Sequence, residues 1–320
     1  MHLFLANEYQ LVTFYSIALC VICLLCIVGG IVYSLYLRPK MQLKTTDIEV
    51  IEPIKRSKAW LGIGIYFACF YIVATIIQVF VLLIYNATHS IPIDQLEETS
   101  NDYLTISCIC NFLTYIVALV ALLPIFIKEV KKDFNLVKGE KNFYLGWWGK
   151  GVLIMYGLII LSNILITFFT FGLETDNVSE NEETINLIMN SGVGNLLLMG
   201  IVTVILAPII EEIIFRKCLF GIFKKNNVLT IIFSALIFAS IHVVPACLMI
   251  IGSMANGEAT FVDLYLEFIC IISYLGQAFA ISFVYYKTKQ NVIPCMLIHF
   301  TNNFIAFIAT IVLQFFPQLG

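Results

Sequence analysis

Long apolar runs recur along the whole chain, and they constrain its fold more than any other feature. A helix rises about 1.5 Å per residue, so each run is long enough to cross about 30 Å of hydrocarbon. We count eight runs, approximately Tyr9 to Leu37, Ala59 to Tyr85, Leu104 to Ile127, Tyr144 to Leu173, Val193 to Ile210, Val228 to Val244, Phe268 to Tyr286 and Val292 to Phe316. With 60% of its 320 residues apolar and 12% charged, the chain cannot cover a water-soluble globule with polar surface. The sequence therefore predicts an all-α polytopic membrane bundle of about eight transmembrane helices.

The basic residues occupy alternate loops. All 18 Lys and Arg residues except Lys150 lie in or beside the loops after the first, third, fifth and seventh runs. The intervening loops carry twelve acidic residues and no Lys or Arg. By the positive-inside rule, this asymmetry predicts a multi-pass protein of the cell membrane with both termini extracytoplasmic. Lys150 lies just inside the fourth run, where we expect its side chain to snorkel towards the cytoplasmic interface.

Ionisable residues inside the apolar runs are concentrated in the second half of the chain. We therefore divide the chain into an N-terminal four-span region, 1–192, and a membrane core that carries the chemistry, 193–320. The ten cysteines lie mostly within apolar runs, three of them in the first run at Cys20, Cys23 and Cys26. Buried cysteine behaves mainly as a small apolar residue, so we assign the cysteines no catalytic role.

Two adjacent glutamates, Glu211 and Glu212, follow Pro208 at the end of the fifth run. A proline removes a backbone donor and tends to kink or open a helix, which favours a polar pocket beside the two carboxylates. Arg216 lies four residues after Glu212, the favourable spacing for an intrahelical ion pair. Glu211 points about 100° away around the helix. We therefore expect Glu212 to pair with Arg216, and Glu211 to find its partner on another span.

The same four-residue spacing recurs in two later spans, where Phe238 precedes His242 and His299 precedes Asn303. Residues at this spacing share one helix face. An ionisable side chain within a span costs at least about 2.5 kcal/mol by insertion scales, so such groups face a polar cavity or one another. We expect Glu211 and His242 to deprotonate a water, and His299 and Asn303 to donate hydrogen bonds to the developing oxyanion.

The three motifs Glu-Glu-x-x-x-Arg, Phe-x-x-x-His and His-x-x-x-Asn, in this order, resemble the CPBP family of intramembrane proteases. That family includes the Rce1-type CAAX prenyl endopeptidases (CAAX prenyl protease 2) and the bacterial Abi proteins. The resemblance covers roughly Val193 to Phe316. It implies that Glu211 and His242 activate the water and that His299 and Asn303 stabilise the oxyanion, the same roles that we expect from their chemistry. It makes Glu212, Arg216 and Phe238 supporting residues. Lys217 departs from the pattern, because many relatives have Gly after the Arg.

The resemblance also implies the class of substrate. It predicts an endopeptidase that hydrolyses a peptide bond of a membrane-associated substrate, such as a CAAX-like tail, a bacteriocin or a leader peptide. The expected partners are a peptide or a prenylated or leader-bearing protein and the lipid bilayer, with no nucleic acid. The sequence does not distinguish among these substrates.

Zinc remains an open alternative as a cofactor, although we commit to none. Glu211, His242 and His299 could hold a zinc ion with a water in the fourth position. The chain has no His-Glu-x-x-His motif, and Asn is a poor zinc ligand. The sequence therefore slightly favours a metal-free Glu/His mechanism.

Two other functions are compatible with buried polar groups. A non-catalytic bacteriocin-immunity or scaffold protein would keep them as a network that packs its helices together. A proton-coupled transporter would use them as a relay, but that class is commonly built from internal repeats, and the two halves of this chain show none.

Overall fold

The computed structural model describes residues 51–90, 92, 95–173, 175, 178–223 and 228–315. The first predicted span, Tyr9 to Leu37, and its three cysteines lie outside the described residues. Within the described ranges all regular structure is helical, and seven helices are long and apolar enough to cross a membrane. The all-α polytopic fold is thereby confirmed, and the second to eighth predicted runs each fall on one of these helices.

We number the helices in chain order. They are α1 (Arg56–Thr88), α2 (Asn101–Gly139), α3 (Lys141–Phe169), α4 (Glu180–Asn190), α5 (Val193–Phe223), α6 (Val228–Asn256), α7 (Phe261–Lys287, interrupted at Cys270) and α8 (Val292–Phe315). α4 is the short helix, and it lies in the acidic loop before α5. Helices α2 and α6 continue beyond the predicted ends of their runs, because neither the charged residues after Ile127 nor Pro245 ends the helix.

The lipid-facing surface is most evident on α1. Its residues Ile76, Phe80 and Leu83, spaced along one helix face, are 62%, 64% and 64% exposed. An apolar face this continuous is compatible with hydrocarbon around the helix and not with water. Lys150 of α3 is exposed, with its ammonium 5.2 Å from the centre of the Trp147 ring. Its depth in the bilayer, like the orientation of the termini, stays a prediction.

The described residues form two compact units. Unit A lies within 154–181 and 226–280, and unit B lies within 51–153, 182–225 and 281–315. In unit A, Ile166 and Phe169 of α3 pack on Tyr265, Ile269 and Ile272 of α7. The Tyr265 hydroxyl donates to the Phe169 carbonyl at 3.0 Å, which ties the two helices together.

Unit B has its own core, in which α2, α4 and α5 meet. Its buried residues are Leu104, Cys108, Ile188, Met189, Leu196, Met199, Val202 and Leu206. Gly200 of α5 faces α8, where an added Cβ would lie 2.6 Å from the Phe307 ring, and Phe307 also packs against this core. Small residues allow membrane helices to approach closely. Gly200 therefore sets the contact between the two helices that carry most of the predicted site.

Candidate active site

Helix α5 changes its winding around the predicted site. A short α-helical segment, Ala207–Glu212, lies between two π-helical stretches, Val202–Leu206 and Ile213–Cys218. Pro208 lies in the first turn of that segment, where a missing backbone N–H is tolerated. The disturbance expected at this proline thus takes the form of wider helical turns on both sides of the glutamates. Such π-helical turns are frequent at functional sites.

Glu212 joins two helices. Its Oε2 lies 2.9 Å from Arg216 Nε, one turn further along α5, and both side chains are fully buried. The ion pair predicted from the four-residue spacing is confirmed. Its Oε1 lies 3.0 Å from His299 Nδ1 on α8, and a carboxylate at this distance favours a proton on that nitrogen. Glu212 therefore orients the His299 ring.

Glu211 has a partner on another helix, as expected. The Tyr115 hydroxyl of α2 donates to its Oε1 at 3.3 Å. The Tyr115 ring packs edge-on against Phe70 of α1, with 4.9 Å between ring centres. Sequence reasoning missed Tyr115, because a tyrosine in an apolar run resembles any other interfacial aromatic residue. The residue Glu211 is 3% exposed, so this contact is shielded from bulk water.

Asn303 lies one turn after His299 on α8 and faces the first π-helical stretch of α5. Its Nδ2 donates to the Thr203 carbonyl oxygen at 2.7 Å. An amide nitrogen carries two hydrogens, so this bond uses one of them. Its Oδ1 accepts from Asn302 at 3.2 Å, and the two contacts together fix the direction of the amide.

His242 belongs to unit A, together with Phe238. Its ring centre lies 4.9 Å from that of Phe238, one turn earlier on α6, in agreement with the helix face that their spacing predicts they share. On α7, the Tyr274 ring is stacked on His242 with 4.7 Å between centres and 8° between planes. The Tyr274 hydroxyl is hydrogen-bonded to Ser179 Oγ at 2.8 Å and accepts from Asn181 Nδ2 at 3.1 Å. Sequence reasoning missed this stacking partner too.

Unit B thus brings together five of the seven predicted site residues, on α5 and α8. These are Glu211, Glu212, Arg216, His299 and Asn303. In the part of the chain that the structure describes, no three His, Cys, Asp or Glu side chains form a cluster that could hold a metal ion.

Comparison with known proteins finds a family model that is similar to part of the chain. Residues 193–305 match the family model described as type II CAAX prenyl endopeptidase Rce1-like. The match contains all seven predicted site residues and extends from the start of α5 into α8. No curated protein and no solved structure matches the chain significantly.

Proposed function

We propose that the chain hydrolyses a peptide bond of a membrane-associated substrate with water activated by Glu211, because its residues 193–305 match the family model described as type II CAAX prenyl endopeptidase Rce1-like. One observation carries this proposal. Two adjacent buried carboxylates on α5 have partners of different kinds, Arg216 and His299 for Glu212, and the Tyr115 hydroxyl for Glu211. Two carboxylates in different environments can take different roles in one reaction.

Glu212 is suited to orient the His299 ring, and Glu211 is suited to transfer a proton. Both carboxylate oxygens of Glu212 are engaged, one by the Arg216 guanidinium and the other by His299, so Glu212 serves to hold these two side chains. The Tyr115 hydroxyl donates to Glu211 Oε1, and we assign to this carboxylate the transfer of a proton from a bound water. On the sequence motif alone, we assign His242 to the same step as the second group that binds this water.

His299 and Asn303 are suited to stabilise the oxyanion, Asn303 through the second hydrogen of Nδ2 and His299 through an Nε2–H, which accompanies the proton on Nδ1 only in the imidazolium form. They lie one turn apart on α8, and both are held by α5, through Glu212 and through the Thr203 carbonyl. Donors whose direction is fixed before the reaction stabilise developing charge without having to reorganise. When the tetrahedral intermediate collapses, the proton taken by Glu211 passes to the leaving amine, and the carboxylate is restored.

The substrate follows from the family and from the environment of the site. A buried site among membrane helices is reached by chains that partition into the bilayer. A prenylated CAAX-like tail, a bacteriocin or a leader peptide all meet this requirement. We propose this class and no single member of it.

The test is cleavage by the purified protein in lipid vesicles, with a library of prenylated and leader-type peptides and with mass spectrometry as the readout. We expect the parent to cleave some of them and Glu211→Gln and His242→Ala to lose the activity. Glu258→Gln, at an exposed glutamate, is the matched control and should retain it. Sensitivity to a chelator would reveal a metal requirement.

A different set of results would contradict the catalytic proposal. If the parent cleaves no peptide while Glu211→Gln and His242→Ala both preserve its cellular phenotype, the catalytic proposal fails. The non-catalytic scaffold or immunity function then replaces it.

A further inference from the structure

A second buried ion pair lies next to the predicted site and has no role in the proposed chemistry. Lys217 Nζ on α5 lies 2.7 Å from Asp133 Oδ2 on α2. The two side chains are 2% and 0% exposed. Lys217 directly follows Arg216, and the sequence marked it only as a departure from the family pattern. Nothing in the sequence marked Asp133.

Asp133 also holds the start of α8. Its Oδ2 accepts a hydrogen bond from the Val292 N–H, at the first residue of that helix, at 2.8 Å. Its backbone carbonyl accepts from Asn291 Nδ2 at 2.9 Å. The first N–H groups of a helix have no partner within the helix, and a carboxylate is a strong acceptor for them. Asp133 is therefore a helix cap supplied by a different helix.

The same carboxylate oxygen thus connects α5 to α8. These two helices also carry the Glu212–His299 pair, whose atoms are 3.0 Å apart. Lys217 is five residues after Glu212, and Val292 is two helical turns before His299. A shift of α8 relative to α5 would change the distance between Glu212 and His299.

We propose that Asp133 and Lys217 are positioning residues, which clamp α5 against the start of α8 and thereby set the geometry of the Glu212–His299 pair. The role in catalysis rests on the proposed function, whereas the clamp itself rests on the ion pair and the cap. We call the group Asp133, Lys217 and Val292 the clamp.

Single and double substitutions of a buried ion pair have different expected effects, so together they test the clamp. Removing one partner leaves an uncompensated buried charge, whereas replacing both partners by neutral groups removes that penalty. Lys217→Met therefore disrupts the clamp, because it leaves the buried charge of Asp133 without its ion-pair partner. The double variant Asp133→Asn with Lys217→Met is neutral and keeps a side-chain oxygen that can cap Val292. The double variant Asp133→Leu with Lys217→Met is also neutral but has no cap.

The first readout is the His299 ring itself, because the whole chain has only four histidines. In ¹⁵N-histidine-labelled protein, His299→Asn identifies the signals of that ring. We expect Lys217→Met and the Asp133→Leu double variant to shift the Nδ1 signal of His299. The Asp133→Asn double variant should return it to the parent position.

The second readout separates kcat from KM in peptide cleavage. A misplacement of about 1 Å can reduce the rate roughly 100-fold, so we expect kcat to fall about tenfold to 100-fold in the two disrupted variants, with KM unchanged. The Asp133→Asn double variant should recover kcat. Lys58→Met is the matched control, because it breaks a partly exposed ion pair with Glu129 in the same unit and should change neither readout.

The outcomes distinguish the clamp from the proposed function. An unchanged His299 signal in Lys217→Met, or a capless double variant that behaves like the parent, overturns the clamp. A shifted signal with unchanged kcat overturns the positioning role. If the parent cleaves nothing, the proposed function fails, and the His299 signal alone then decides whether the clamp exists.

Discussion

Substitution of Tyr115 by Phe removes one hydroxyl from the surroundings of Glu211 and leaves the ring in place. The bond that is lost joins Tyr115 Oη to Glu211 Oε1 over 3.3 Å. Hydrogen bonds to charged groups contribute about 1.5–3 kcal/mol. Since 3.3 Å is long for an O–H···O bond, we take about 1.5 kcal/mol, the lower end of that range. With about 1.36 kcal/mol for each factor of ten in rate, kcat should fall roughly tenfold.

The burial of the contact supports this magnitude. Glu211 is 3% exposed, so bulk water cannot readily replace the lost donor. The edge-on contact with Phe70 involves only the ring, so the fold should tolerate the change. We therefore expect the Tm of Tyr115→Phe in detergent to stay close to that of the parent while kcat decreases.

The assay is steady-state cleavage of a fluorogenic peptide by the reconstituted protein. Tyr71→Phe is the matched control, because Tyr71 is 58% exposed on α1 in the same unit, and it should show the parent kcat. A kcat for Tyr115→Phe that equals the parent value would refute the argument that this hydroxyl positions Glu211. A loss as complete as that of Glu211→Gln would show that Tyr115 does more than position it.

Two further predictions concern stability in unit B. Arg216→Met leaves the fully buried Glu212 without its guanidinium partner and should lower the free energy of unfolding by about 3–5 kcal/mol. The measurement is denaturant unfolding in detergent. A loss below about 1 kcal/mol is typical of an exposed ion pair and would contradict this prediction. Gly200→Ala places a Cβ 2.6 Å from the Phe307 ring and should cost about 1–3 kcal/mol by overpacking. Gly194→Ala on the same helix meets no atom within 4 Å and should be neutral or stabilising, so an equal loss in both glycine variants would contradict the packing argument.

Contacts within one helix were accessible from the sequence. The spacing of Glu212 and Arg216 predicted their ion pair, and that of Phe238 and His242 predicted that they share one helix face. Both predictions follow from helical periodicity, which repeats identically in every helix. The partner of Glu211 could be assigned to another span by elimination, but its identity as Tyr115 could not.

Contacts between helices needed the tertiary structure. His299 lies beside Glu212, Asn303 binds the Thr203 carbonyl, and Asp133 caps α8. Each depends on how far a helix is rotated about its axis and shifted along it. Apolar runs differ little in composition, so no local pattern fixes these two quantities.

By itself, the sequence determined that this is a multi-pass helical membrane protein and showed polar motifs that resemble those of one protease family, because hydropathy and helical spacing are local properties. The first span, the orientation of the termini and the roles of the site residues stay predictions. Only the tertiary structure decided which atoms meet around Glu211, Glu212 and Asp133, because inside a membrane the pairing of buried polar groups is set by helix packing between segments distant in the chain.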